Sequence, residues 1–215
     1  NTLSKTYRWF ENRTGFAPPL SLKVYKGIPQ GAGLGGGSSD AALFLSFLCE
    51  LARRFDRLSD DANFLRDSAE IGADVPFFLL RAPALVSGMG ENLTACSNPC
   101  SGSSLLLVCP GVGISTAWAF RALDVKRGER ATTLPDSPDF VSLMQLGNDF
   151  EELVFESHPE TEAVRDLLLA YGAGMAHLTG TGSALFGLFY DAEAARKGAE
   201  ELARRGYSVY RQQLL

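Results

Sequence analysis

Pro29-Gln30-Gly31-Ala32-Gly33-Leu34-Gly35-Gly36-Gly37-Ser38-Ser39-Asp40-Ala41-Ala42 is the stretch on which the reading of this chain turns. Five of the seven residues from Gly31 to Gly37 are glycine, and they run without a break into Ser39–Phe55, where Phe44, Leu48, Leu51 and Phe55 recur at helical spacing. The first two turns of that helix are apolar almost all round, so they are expected to be buried. Glycine lets a backbone take positive φ and come close to an anion. A helix start adds N–H groups without partners and the positive end of a dipole. Together they make a phosphate cradle.

Three other readings compete. A flexible loop capped by Ser38 or Ser39 would not need so many glycines against a buried helix. Gly31, Gly33 and Gly36 also satisfy the dinucleotide pattern G-x-G-x-x-G. That pattern requires a following strand and an acidic residue about twenty positions on, whereas the region Asp56 to Asp61 leads into another helical pattern. A Walker loop requires Gly-Lys-Ser/Thr, and no lysine follows these glycines.

Working outward, Thr2–Phe10 has the spacing of a helix, Leu20–Val24 alternates as a strand, and Ser59 caps a helix expected to reach about Glu70. Val75–Leu80 and Ala84–Ser87 are predicted strands. Ser97-Asn98-Pro99-Cys100-Ser101-Gly102 is linker-like and divides an N-terminal domain, 1–100, from a C-terminal one, 101–215. The second half reads as a strand at Leu105–Cys109, helices around Thr116–Leu123, Val141–Phe155 and Pro159–Tyr171, a strand around Leu185–Phe189, a helix from the cap Asp191 to Arg205, and a closing strand at Tyr207–Arg211. This order is α+β and similar to ferredoxin-like domains.

Four further stretches carry candidate chemistry. Ile71-Gly72-Ala73-Asp74-Val75-Pro76-Phe77-Phe78 sets one carboxylate in an apolar run, where losing hydration would demand a partner; such a group can take the proton of a substrate hydroxyl. Leu178-Thr179-Gly180-Thr181-Gly182-Ser183-Ala184 is a second glycine turn, a simple link between strands or a backbone clamp. Pro110–Phe120 ends in an aromatic, a core residue or a stacking one. Ser87-Gly88-Met89-Gly90-Glu91 reads as a hairpin turn and Asn148-Asp149-Phe150-Glu151 as the start of a helix.

The whole string from Pro29 to Ala42 resembles the second signature motif of the GHMP kinases, and the triple glycine before Ser38-Ser39 resembles the branch that acts on a diphosphocytidyl sugar alcohol. Gly-Ala-Asp-Val-Pro and the turn at Gly180, Thr181 and Gly182 resemble further motifs of that family. The resemblance implies a two-domain fold with an N-terminal ATP-binding domain and a ferredoxin-like C-terminal domain. It implies Mg²⁺-dependent transfer of phosphate from ATP, with Pro29, Gln30, Gly31, Ala32, Gly33, Leu34, Gly35, Gly36, Gly37, Ser38 and Ser39 around the triphosphate. Gly180, Thr181 and Gly182 would form a facing clamp, Asn1 and Lys26 would lie by the adenosine, Asp74 would act as base, and Phe120 would stack on the cytosine. Metal ligands stay unassigned, with Ser38, Ser39 and Asp40 near the expected position. The family also carries an earlier Pro-Ala-Lys-x-Asn motif absent here, so the first domain is expected to lack strands and the chain alone to have little kinase activity.

The bulk properties set the class of partner. Of 215 residues, 46% are hydrophobic and 21% charged, and the formal net charge is −5; with no basic patch, nucleic acid is not an expected partner. A small molecule is, and the chain is expected to be a monomer or weak homodimer. No apolar run is long enough for a membrane span, the longest being Ala41–Leu48. Cys96 and Cys100 lie close together, but the two histidines, His158 and His177, are distant. The four cysteines therefore read as reduced thiols of a cytoplasmic protein rather than as zinc ligands.

Overall fold

The computed structural model describes residues 1–59, 64–98, 100–127 and 146–214. It divides into two compact units, one formed by Asn1–Gly27 with Gly35–Ser97, the other by Ile28–Leu34 with Asn98–Leu215.

The first unit is mainly helical. Helix α1, Thr2–Thr14, begins at Asn1, whose Oδ1 accepts from the N–H groups of Leu3 (2.8 Å) and Ser4 (3.2 Å). It stops at Gly15, held at φ 66°. Helix α2, Gly36–Arg54, follows the glycine loop. A 3₁₀ turn at Asp67–Glu70 and helix α3, Val75–Leu80, lead to a hairpin of β1, Ala84–Ser87, and β2, Asn92–Ala95. Phe10, Leu45, Leu48, Ile71 and Val75 close the core where α1, α2 and the segment before α3 meet.

Four expectations about the elements of this unit are corrected. Leu20–Val24 makes no strand; its apolar residues stay exposed, and the alternation finds no ladder partner among the described residues. Val75–Leu80 is a helix, because Pro76 sits in its first turn, where a missing N–H costs nothing. Of the helix expected over 59–70, residues 60–63 lie outside those described, and the rest is ordered only as the 3₁₀ turn. Burial of α2 is one-sided as well. Ala41, Ala42, Phe44, Leu45 and Leu48 are covered, but Leu43 is 67% exposed and Phe47 45%.

The second unit is a four-stranded antiparallel sheet with helices. In chain order it holds β3, Ser104–Cys109; α4, Thr116–Arg127; α5, Glu151–Ser157; α6, Pro159–Ala170; β4, Met175–Leu178; β5, Leu185–Phe189; α7, Ala192–Arg204; and β6, Ser208–Gln213. The strands lie in the order β4-β5-β3-β6, with Leu106 of β3 opposite Gly187 on one side and Arg211 on the other. This is the split βαβ order of ferredoxin-like domains, as expected. The structure adds β4, which the sequence reading leaves out: a four-residue strand is too short for its alternation to stand out. Of the helix expected over Val141–Phe155, residues 141–145 lie outside those described. Leu106, Val108, Leu168, Leu178, Leu185, Phe189 and Leu202, all fully or almost fully buried, form the core.

Candidate functional site

The glycine loop is shaped by its backbone. Gly31, Gly33 and Gly35 stand at φ 68°, 73° and 63°, while Ala32 and Leu34 between them keep negative φ. Alternation of this kind turns successive N–H groups toward one side and makes an anion-binding concavity. Within the second unit three consecutive carbonyls of the loop are engaged. Gly31 O accepts from Ile114 N (3.0 Å), Ala32 O from Ala184 N (3.1 Å) and Gly33 O from the Thr179 hydroxyl (3.0 Å). The approach at Gly33 is so close that a Cβ there would lie 2.1 Å from Thr179 O and 2.8 Å from Gly182 N.

The second glycine turn, Thr179–Ser183, is itself braced. Ser183, 1% exposed, donates its hydroxyl to Val112 O, and the hydroxyls of Thr181 and Thr116 lie 3.3 Å apart. Asn148 Nδ2 donates to Leu178 O (2.9 Å) and Gly180 O (2.7 Å), while its Oδ1 accepts from Phe150 N (2.9 Å). Glu151 Oε1 accepts from Leu178 N (2.8 Å) and lies 3.1 Å from His177 Nδ1. Burial pushes the Glu151 carboxyl up, but the bonds from His177 and the Leu178 N–H outweigh it and hold the group below the usual carboxylate range. The sequence reading takes Asn148–Glu151 only as a helix start and misses this bracing. The signal was there, in an Asn and a Glu three apart, but capping explains the same residues.

In the first unit, α2 opens at Gly35 with no side-chain cap; Ser38 and Ser39 donate their N–H groups to Gly35 O, each at 2.9 Å. The N–H groups at the very start of the helix are thereby left without intrahelical acceptors. Asp74 faces this opening: a Cβ on Gly35 would lie 4.0 Å from its Oδ2. The carboxylate is exposed, and this corrects the expected burial. Asp74 stands at the N-cap of α3, where the burial of Val75 and Pro76 leaves it on the outer side. Gly90 packs on the preceding peptide so tightly that a Cβ would meet Ala73 O at 2.1 Å, so the turn after β1 supports the backbone that carries Asp74.

Lys26 pairs with Asp40 of α2, and so reaches the start of that helix. Asn1 spends its side-chain oxygen on capping α1. Phe120 on α4 is 52% exposed, which removes the core reading, and its ring meets Phe150 edge-on at 5.0 Å. All four cysteines are free thiols; Cys100 and Cys109 are buried, and burial raises the pKa of both. Among the described residues no three His, Cys, Asp or Glu side chains converge as a metal site, and no helix is long and apolar enough to cross a membrane.

Comparison with known proteins gives concordant results. Residues 1–82 match the GHMP kinases N terminal domain and residues 130–208 match the family described as GHMP kinases C terminal. The chain is 40% identical over 218 residues to the 4-diphosphocytidyl-2-C-methyl-D-erythritol kinase of Nitratidesulfovibrio vulgaris strain Hildenborough, spanning 98% of this chain and 75% of the relative. The crystal structure of a 4-(cytidine 5'-diphospho)-2C-methyl-D-erythritol kinase superposes with a TM-score of 0.78 at 30% identity, over 98% of this chain and 76% of that one. A homoserine kinase from Cytophaga hutchinsonii superposes with a TM-score of 0.64 over all of this chain and 76% of its own, but at 17% identity it shares the fold alone.

Proposed function

The chain belongs to the GHMP kinases, on the 4-diphosphocytidyl-2-C-methyl-D-erythritol kinase branch, and from that premise we propose that it transfers the terminal phosphoryl group of ATP to the 2-hydroxyl of 4-diphosphocytidyl-2-C-methyl-D-erythritol, a step in non-mevalonate isoprenoid precursor synthesis. The observation that carries the reading is the loop Gly31–Gly35, whose alternating φ and engaged carbonyls leave backbone N–H groups for a triphosphate. In a chain of net charge −5, such local donors must supply what a basic surface would otherwise provide.

Catalysis of phosphoryl transfer is mainly positioning and charge stabilisation. Residues Pro29–Ser39 would hold the phosphates, Gly180–Gly182 would brace that loop, and Asn1 and Lys26 would lie toward the adenosine. Asp74, exposed beside the start of α2, would take the proton of the attacking hydroxyl. This role rests on its proximity to Gly35 and on its access to a substrate, not on desolvation. The exposed face of Phe120 suits a pyrimidine ring; stacking of that kind contributes roughly 1–3 kcal/mol. Mg²⁺ would be held largely by the substrate phosphates, with Ser38, Ser39 and Asp40 at the start of α2 as the protein groups on that side, and it would offset phosphate charge. The same reading makes residues 1–100 the ATP domain and 101–215 the substrate-side domain of a cytoplasmic enzyme, a monomer or weak homodimer acting on a small molecule.

The test is ATP consumption by the full-length enzyme with this substrate, homoserine and mevalonate, each with and without Asp74→Asn. The diphosphocytidyl alcohol should be preferred, and the substitution should lower kcat about 10²–10⁴-fold with ATP affinity unchanged. Preference for either other alcohol overturns the substrate; turnover surviving within a few-fold removes Asp74 as the base.

A further inference from the structure

Two rows of contacts converge on the four residues Asn148–Glu151. On one side Asn148 and Glu151 hold both ends of the peptide run from Leu178 to Gly180, the first through two donated hydrogen bonds and the second by accepting from Leu178 N. That run presses on the phosphate loop, since Thr179 donates to Gly33 O and Gly180 lies so close that a Cβ on it would stand 2.8 Å from the same oxygen. On the other side Phe150, whose N–H is held by the Asn148 side chain, sets its ring edge-on against Phe120. The bond from Phe150 N to Asn148 Oδ1 shapes only the turn that leads into α5, whose own start carries no side-chain cap. The other bonds of Asn148 point away from the helix, to carbonyls of the glycine turn, and have no role in starting α5.

We infer that Asn148–Glu151 is a positioning segment for both substrates: Asn148 and Glu151 set the turn that backs Gly33 of the phosphate loop, and Phe150 sets the ring of Phe120. The inference rests on the function proposed above. It places no residue of the segment on reacting atoms. Asn148 and Glu151 act through Thr179 and Gly180, and Phe150 acts through Phe120. The two arms should therefore separate by substrate. Loss of the Asn148 donors frees Leu178 O and Gly180 O, lets the turn relax from Gly33, and weakens the hold on ATP. Loss of the Phe150 edge lets Phe120 turn and weakens the hold on the alcohol.

Two measurements on the full-length protein decide it: equilibrium titration with ATP, and steady-state kinetics with each substrate varied. Asn148→Asp keeps the oxygen that accepts from Phe150 N and removes both donated bonds. It should weaken ATP binding and raise KM for ATP at least about 10-fold, since two bonds to the turn are lost, while KM for the alcohol stays within about twofold. Glu151→Ala should do the same, and Glu151→Gln, which still accepts from Leu178 N, should restore most of the affinity. Phe150→Leu should raise KM for the alcohol and leave ATP titration unchanged, with Phe150→Tyr close to the parent. A variant that lowers thermal stability while leaving both KM values alone shows a merely structural segment and overturns the inference. So does an equal rise of both KM values in every variant. If Asn148→Asp fails to fold, the Glu151 pair decides. If the parent does not phosphorylate the diphosphocytidyl alcohol, the proposed function fails instead, and the ATP titrations still test the phosphate-loop arm.

Discussion

Gly31 and Gly33 make the same backbone demand, a positive φ near 70°, but their surroundings differ. A Cβ on Gly31 would have nothing nearer than 3.6 Å, whereas one on Gly33 would stand 2.1 Å from Thr179 O. Gly31→Ala should therefore cost only the left-handed conformation, about 1–2 kcal/mol of stability, and leave ATP binding close to the parent. Gly33→Ala must displace one backbone from another, and should weaken ATP binding at least about tenfold. Titration of both variants with ATP checks this, and equal affinities would show that the close approach does not shape the loop. At this scale the loop was legible, because a need for positive φ appears directly in residue identity. The exposure of Asp74 was not: its neighbours are apolar in the sequence, but which side they bury depends on whether the segment is a strand or a helix.

That ambiguity belongs to the element. A short apolar run such as Val75–Leu80 has no period that separates a buried strand from a helix, and only Pro76 in the first turn favours the helix. Leu20–Val24 shows the converse, a clear alternation that ends without a ladder, since pairing is decided by what lies alongside. Elements with an explicit boundary residue read best. Asp191 was expected to cap the helix after β5, and its Oδ1 accepts from Glu193 N at 2.9 Å at the start of α7. Asp191→Ala should then lower stability by about 1 kcal/mol, with Asp191→Ser keeping most of it. Urea unfolding measures the difference. An unchanged midpoint for the alanine variant would mean that α7 is held by its buried face alone, through Ala195, Gly198 and Leu202.

For the whole molecule the question is which nucleotide the chain is built around, since Gly31, Gly33 and Gly36 also satisfy the dinucleotide pattern. A dinucleotide site of that type sits at the carboxyl edge of a parallel sheet. The sheets among the described residues are an antiparallel hairpin and an antiparallel four-stranded sheet, so the loop has no such edge to serve. Composition marked Pro29–Gly37 as a loop, but it could not show that Ile28–Leu34 clusters with the C-terminal half of the chain, because that follows from carbonyls engaged by Ile114, Ala184 and Thr179, far away in sequence. A ligand that binds only the folded chain stabilises it by RT ln(1 + [L]/Kd), about 2.7 kcal/mol at a hundredfold excess over Kd. At roughly 2–4 °C per kcal/mol for a chain of this size, saturating ATP should raise the unfolding midpoint by about 5–11 °C, and NAD should leave it unchanged. Addition of ATP to a sample already holding NAD should give the full ATP shift. A midpoint raised by NAD and not altered further by ATP would sink the kinase reading of the loop and return it to the dinucleotide pattern, whatever the fold around it.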